Sequence, residues 1–588
     1  MSAFIPRLMA SLTGLLHDRP MADGGLVSRL LAGRPAYALL ALFALALFLP
    51  GIASTPPTDR DEARFAQASR QMVETGDLVN IHFQDEARNK KPVGIYWLQA
   101  GTAKIFGKDA IWPYRLPSLI GAALAVVALA GLARPSFGRG AGLFAGLLFG
   151  ASLIATVEAH IAKTDAMLLL TVTVAQLALA RAYLREGQTD IGWGWAFLFW
   201  GAQGVGILIK GPVTPLISAL TIVALAVSDR RLADRWAYLR ALRPLPGLIL
   251  ALLIAAPWFV AITLGDSNFM QEAVGQDLLP KLLGGQEAHG APPGYYLGVA
   301  TLTFWPASLV GWFGAIWAWR NRKTPTARFL LAWLLPAWVM FELIPTKLPH
   351  YTLPLLPAVA LMAALSLRDA PDLVGRMMRH WAGRLLLIVW SAIGLILGFA
   401  FIVATWMTEQ RFAPSGLIPI VGSLLAVGLA GRAFWRGEAL RAAAVAALCA
   451  LLIWPPIFGR LLPGLKQLWP SQQATLMVAT QLPAWPPSQP VVAVGYHEPS
   501  LVFFLGTDTM LTTPEQAASY MAGAINRFAV VNDREERRFR DAVNALGAEV
   551  WRIDRVKGFN MARGRFETLY LFWSGSPRWI APRVTDSP

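Results

Sequence analysis

The chain has 588 residues, 55% of them hydrophobic and only 15% charged, with a mean hydropathy of +0.47. Soluble chains carry roughly 25% charged residues, so this composition excludes an ordinary multidomain soluble protein and points to the membrane. The net charge of +16 lies mainly in short stretches between apolar runs, the pattern of cytoplasmic membrane loops, and no nucleic-acid partner is expected.

Along the chain, the first 35 residues carry Arg7, Arg19, Arg29 and Arg34 and show no evident cleavable signal. A spanning helix needs about 20 mostly apolar residues. About thirteen runs meet that criterion, near 36–53, 115–133, 139–157, 165–183, 191–209, 212–228, 246–264, 295–318, 328–345, 352–367, 384–405, 416–431 and 440–458. Basic loops orient them: Arg230, Arg231, Arg235, Arg240 and Arg243, then Arg320, Arg322, Lys323 and Arg328, then Arg368, Arg376, Arg379 and Arg384 fall on one side. By the positive-inside rule that side, with the N-terminus, is cytoplasmic. The 23 tryptophans suit the headgroup zones. The one cysteine, Cys449, lies in an apolar run, so neither an intrachain disulfide nor a cysteine zinc cluster can form.

The first outer loop, about 54–114, is basic although it faces outward. It holds T-D-R-D-E-A-R-F, Thr58 to Phe65, leading a helix to Thr75 that Gly76 should stop. Asp61 and Arg64 share one face of that helix. Next comes N-K-K-P-V-G-I-Y-W-L, Asn89 to Leu98, where Pro92 fits the first turn of a second helix lying along the interface. Functionally, Asp61 is a carboxylate at a reaction centre, while Arg64 and Lys91 hold a phosphate. Structurally, Thr58-x-x-Asp61 matches a capping box, and Asp61 would merely cap.

Further outer-side signals follow. E-A-H-I-A-K-T-D ends on Asp165, either an N-cap or a carboxylate facing a polar cavity beside Lys163 and His160. Lys210, before Gly211-Pro212, either snorkels or binds an anion. The loop after the seventh run carries Glu272, Asp277, Lys281, Glu287 and His289, without tight metal-ligand spacing. P-T-K-L-P-H-Y brings Lys347, His350 and Tyr351 to the same side. Each signal is weak alone, but all fall on one face, which scattered helix caps would not do. From about 459 the chain changes character. Val491–Val494, Leu501–Leu505, Phe528–Val531, Glu549–Ile553 and Leu569–Trp573 read as strands, and Pro514–Ala524 and Asp533–Leu546 as amphipathic helices. The expected organisation is a membrane domain over 1–458 and a periplasmic α/β domain over 459–588.

The run D-E-A-R-F-A-Q-A-S-R-Q-M-V-E-T-G-D followed by K-K-P-V-G-I-Y-W-L resembles the aminoarabinose transferase and protein O-mannosyltransferase superfamily of GT-C membrane glycosyltransferases, lipid A aminoarabinose transferases above all. The Lys210-Gly211-Pro212 and Lys347-Leu348-Pro349 segments resemble the family's as well. The resemblance implies a polytopic α-helical GT-C fold in a bacterial inner membrane, with a C-terminal periplasmic domain. It implies an inverting transfer of a sugar from a polyprenyl-phosphate donor to a lipid or glycan acceptor, lipid A foremost. It places catalytic roles on Asp61 and Asp165 and donor-phosphate contacts on Arg64, Lys91, Lys210 and Lys347. Glu62, Lys90, Tyr96, His289, His350 and Tyr351 complete the candidate substrate contacts. Lys90 stands where relatives commonly carry a glutamate, so that residue's metal contact is not carried over; no cofactor is assigned, and a divalent metal stays open. The alternatives are a protein or polysaccharide glycosyltransferase with the same donor type, or a lipid-linked sugar transporter.

Overall fold

Every one of the apolar runs folds as helix, from Pro35–Phe48 to Ala439–Pro456, in a computed structural model that describes residues 4–18, 26–31, 33–185, 190–229, 236–265, 269, 271–272, 275, 291–482 and 487–575. Among these residues eight helices are long and apolar enough to cross a membrane, or nine if one bent pair is a single span, so the chain is a polytopic α-helical membrane protein. The difference from thirteen has physical causes. Pro35–Phe48 and Val213–Ser228 are short. Gln203 and Lys210 dilute the apolar character of Trp193–Lys210. The 295–318 run is interrupted between Thr303 and Ser308. Outward faces are strongly apolar, with Leu253, Leu264, Ile388, Ile396 and Met407 each more than 60% exposed, as expected of surface that faces lipid rather than water.

Two breaks shape the interior. The run 139–157 bends by 68° between Arg139–Gly150 and Leu153–Ala159. The other break, at Phe304–Ala307, packs against it. Backbone freed at membrane depth must find partners inside the protein, and here it does. The Leu153 amide donates to the Trp305 carbonyl at 2.9 Å, and the Trp454 indole N–H to the Ala151 carbonyl at 2.9 Å. The Trp390 indole N–H donates to the Pro306 carbonyl at 2.9 Å. The bend sends the chain sideways, so that Glu158 and the segment to Asp165 arrive at the end of the bundle that carries the C-terminal domain.

The first loop forms the expected helices. Asp61–Thr75 stops at Gly76, whose φ of 76° is the left-handed conformation of a helix end. Gly94–Phe106 begins two residues after Pro92. Ile95 and Tyr96 turn inward while Trp97 and Leu98 are exposed.

In the C-terminal domain a five-stranded mixed sheet runs in the order Met510–Thr512, Val492–Val494, Phe528–Asn532, Arg565–Trp573, Trp551–Asn560. Its residues alternate between two cores: Ala493, Val530, Leu569 and Leu571 face Pro470–Ala479, while Val492, Val494, Ala529 and Val531 face Pro514–Ala522 and Glu536–Ala545. One expected strand is instead a helix, Pro499–Leu505. Pro499 starts it at the first helical position. Its run is apolar all round because Leu501 and Leu505 meet the sheet while Phe503 packs with Ala66 and Tyr114 of the membrane domain.

Candidate functional site

Inward from the first loop, Glu62 is buried and fully engaged. The Arg115 guanidinium donates to both its oxygens at 2.7 and 3.1 Å, the Ala162 amide donates at 2.9 Å, and the Thr58 amide and hydroxyl donate at 2.7 and 3.0 Å. Burial alone would push this carboxyl up; Arg115 and the amides outweigh it and hold it below the usual range. Arg115 also binds the carbonyls of Ile52, Thr55 and Pro56 at 2.9, 2.6 and 3.0 Å. Glu62 is therefore a structural tie across the base of the loop, with both of its oxygens taken by protein groups.

Asp61, one position earlier on the helix, faces the other way and is exposed. It is the first residue of its helix and makes no capping bond; Thr58 serves Glu62 instead, so the capping box does not form. Among the described residues no hydrogen bond or ion pair occupies the Asp61 carboxylate. Its field nonetheless reaches the Lys163 ammonium. Arg64 lies one turn on, half-buried.

Behind Asp61 lies a buried charge cluster. Lys210 donates to Asp165 at 2.6 Å, and Lys163 lies 3.1 Å from Glu158 and 3.7 Å from Asp165. The His350 ring stands 3.8 Å from each carboxylate and 3.4 Å from the Lys163 nitrogen. Burial opposes the Lys163 ammonium, but Glu158 and Asp165 overcome this and raise it above its usual range. Asp165 is thus bound to lysine and caps nothing: Thr164 is the N-cap and makes no side-chain bond. Lys210 does not snorkel; it ends its helix against Asp165, 5.6 Å over the Tyr351 ring. Two ammonium groups balance two carboxylates, so Lys163 and Lys210 are already compensated.

Lys347 is not. It is only 5% exposed, donates to the Ile344 carbonyl at 2.9 Å, and has no carboxylate within ion-pair distance among the described residues. Lys90 is exposed and Lys91 half-buried at the entry to the second loop helix. Tyr96 is buried, its hydroxyl accepting from Arg88 at 3.2 Å. His160 binds the Pro50 and Thr156 carbonyls and stacks on Phe458, apart from the cluster. His289 lies outside the described residues, as do Asp277, Lys281 and Glu287. Among the described residues no group of three His, Cys, Asp or Glu side chains is arranged to hold a metal ion.

The sequence reading missed Arg115 and Glu158 as organising charges. The available signal was an ionisable side chain in or beside an apolar run, which demands a partner. It also missed how the C-terminal domain grips the loop. Ser500 donates to the half-buried Asp59 carboxyl and its hydroxyl oxygen meets the Ser471 hydroxyl, while the Arg60 guanidinium donates to the Ala562 carbonyl. Gln67 bonds Thr507 at 2.8 Å, and Arg70 the Phe503 carbonyl at 3.0 Å. Between these anchors Arg60 adopts φ 66° and ψ −104°, a conformation a non-glycine residue rarely holds.

Burial pushes the Asp59 carboxyl up to about 7, the Ser500 hydrogen bond opposing and Glu498 adding. The docked domain therefore binds a proton more tightly than the undocked one, whose carboxyl is near the usual value of about 3.9. Docking is strongest below that value and weakens as pH rises through 7. Hydrogen exchange over 56–62, corrected for intrinsic rates, should be slower at pH 5 than at pH 8. Asp59→Asn should flatten the difference; an unchanged pH dependence in that variant refutes the assignment.

A membrane bundle with a bent helix, two helices in the first loop and a C-terminal α/β domain together make a GT-C-like fold. The undecaprenyl-phosphate-bound ArnT of Cupriavidus metallidurans superposes with a TM-score of 0.71 at 20% identity, covering 92% of this chain and 98% of that one. The apo form of that protein gives 0.68 at 21% identity, covering 91% and 97%. In sequence, residues 90–260 match the dolichyl-phosphate-mannose-protein mannosyltransferase family. The undecaprenyl phosphate-alpha-4-amino-4-deoxy-L-arabinose arabinosyl transferase of Aeromonas salmonicida is 29% identical over 339 residues, 56% of this chain and 59% of that protein. Its Yersinia pestis counterpart is 27% identical over 344 residues, covering 57% and 60%. The match thus spans about three fifths of the length of these curated relatives.

Proposed function

We propose that this chain is an inverting glycosyltransferase that moves a sugar from a polyprenyl-phosphate donor to lipid A or another envelope glycolipid, on the membrane face bearing the C-terminal domain. One observation carries the reading: an ammonium at Lys347 that is buried without a carboxylate partner among the described residues, and an Asp61 carboxylate that none of them engages, lie at the same end of the bundle. A buried cation without a counter-charge is costly, and a donor phosphate supplies that charge.

The acceptor oxygen attacks the anomeric carbon while the bond from that carbon to the phosphate oxygen breaks, its electron pair leaving on the phosphate. Attack opposite the leaving group inverts the centre. Asp61 takes the proton of a hydroxyl acceptor, or steadies the positive sugar carbon when the acceptor is itself a phosphate. Arg64, Lys91 and Lys347 stabilise the charge growing on the leaving phosphate. Lys210 acts through Asp165, which orients sugar or acceptor, with His350, Tyr351 and Lys90 beside them. The match of residues 90–260 to a protein mannosyltransferase family favours a protein acceptor as the second reading.

In the finer topology, the short and broken helices also cross, making thirteen spans in a bacterial inner membrane, with a cytoplasmic N-terminus and a periplasmic C-terminal domain. A cysteine at Glu515 should then react with an impermeant maleimide in intact spheroplasts; labelling only after lysis reverses the orientation.

Purified protein in liposomes, given a polyprenyl-phosphate-linked aminoarabinose and lipid A, should add one sugar mass to lipid A. Lys347→Met should weaken donor binding by roughly 10- to 100-fold, the value of a charged hydrogen bond. Failure of the wild-type protein to transfer sugar to lipid A, polysaccharide or peptide would sink the proposal.

A further inference from the structure

At the end of the bundle away from the C-terminal domain lies a cavity of about 420 Å³, walled by the ends of Ser308–Arg320 and Pro349–Asp369 and the starts of Pro325–Leu343 and Leu373–Arg379. Its level is set by its neighbours. Arg368 donates to the carbonyl of Phe137, the last residue of Trp112–Phe137. A helix of that length measures about 39 Å, so the cavity sits a membrane's thickness from the site. Trp319, Trp381 and Trp435 are exposed here, at 58%, 70% and 56%. Arg322 and Arg384 stack on two of these indoles, a ring of aromatic and basic groups of the kind that marks the headgroup layer.

The lining is charged in a particular way. Arg368 is neutralised by Asp369 at 2.7 Å, and the cavity's other side chains include Asn321 and Thr324, which bond to their own turn. Arg320 and Arg376 line the same cavity, and neither guanidinium has a hydrogen-bonding or ionic partner among the described residues. Two like charges brought to one hollow repel each other unless an anion sits between them. Among the described residues the lining holds one carboxylate, Asp369, and Arg368 takes it, so no free carboxylate there waits for the ammonium of a zwitterionic headgroup. Because the hollow opens in the headgroup layer, the phosphate that reaches it arrives on a lipid.

We infer that this cavity is a binding site for the headgroup of an anionic phospholipid in the leaflet opposite the transfer site. Arg320 and Arg376 hold the phosphodiester, and Trp317 forms the apolar wall. Basic pockets between membrane helices suit such headgroups, and each arginine near the surface adds appreciably to the attraction.

Native mass spectrometry of the full-length protein in detergent, titrated with phosphatidylglycerol, tests this without reference to catalysis. Wild type should bind phosphatidylglycerol in preference to phosphatidylcholine. Arg320→Ala/Arg376→Ala should weaken phosphatidylglycerol binding by about 30-fold, from the combined contribution of two surface arginines. The Arg320→Lys/Arg376→Lys variant should recover much of it, showing that charge rather than folding is responsible. Arg322→Ala/Lys323→Ala, which alters basic residues of the same loop outside this cavity, should bind as wild type does. Unchanged binding in the alanine pair, equal binding of the two lipids, or an equal loss in the Arg322/Lys323 variant overturns the assignment. Displacement of the lipid by millimolar inorganic phosphate reassigns the cavity to a soluble anion and overturns it too.

Discussion

Asp61→Asn is expected to lower sugar transfer by about 10²- to 10⁴-fold, the range in which a positioned acid–base group contributes. The substitution keeps size and shape but removes the charge. Asp61 is exposed and bonded to no described residue, so folding does not depend on it. The melting temperature in detergent should therefore match wild type, and donor binding should change little, because the cations proposed to meet the phosphate are other residues. The loss belongs in kcat. Transfer within a few-fold of wild type would remove Asp61 from the chemistry. A phosphate acceptor would place the loss at the lower end of the range, since no proton then has to be moved.

Arg115→Leu should do the opposite: damage the fold first and activity as a consequence. Arg115 is 1% exposed and meets Glu62 and three carbonyls. Removing one partner of a buried pair leaves the other charge stranded, at about 3–5 kcal/mol. The orphaned carbonyls add to that. We expect a markedly lower melting temperature and poor yield. Glu62→Leu/Arg115→Leu should recover part of the loss, because the stranded carboxylate is gone while the carbonyls stay unmet. An Arg115→Leu protein as stable as wild type would show that the loop is held by something else.

The apolar runs were legible because a bilayer imposes one length and one composition on every crossing. The helix ending at Gly76 was legible because glycine there permits a left-handed turn. Pro499–Leu505 was misread because periodicity reports how many sides are buried, and a helix pressed between a sheet and the first loop has no polar side to show. Sequence spacing put Asp61 and Arg64 on one face but left Glu62 undecided. Which way that carboxylate points depends on Arg115, 53 positions later, and no local pattern carries such a pairing. Lys210 and Asp165 were each noticed as unusual charges, yet only the folded chain shows that they neutralise one another. Lys347, by contrast, gains importance from having no such mate among the described residues.

The link between Asp59–Arg60 and the C-terminal domain bears on biosynthesis. Ser500 reaches Asp59 across 441 positions and Ala562 reaches Arg60 across 502. Residue 61 leaves the ribosome hundreds of residues ahead of the groups that brace its neighbours. Contacts so distant along the chain form late, so a nascent or prematurely terminated polypeptide displays its carboxylate on an unbraced loop. Such chains should bind lipid carrier yet stay catalytically silent until the last strand, Arg565–Trp573, completes the sheet. Ribosome-stalled chains released at increasing length would reveal the point at which activity begins; onset before residue 573 would contradict this timing.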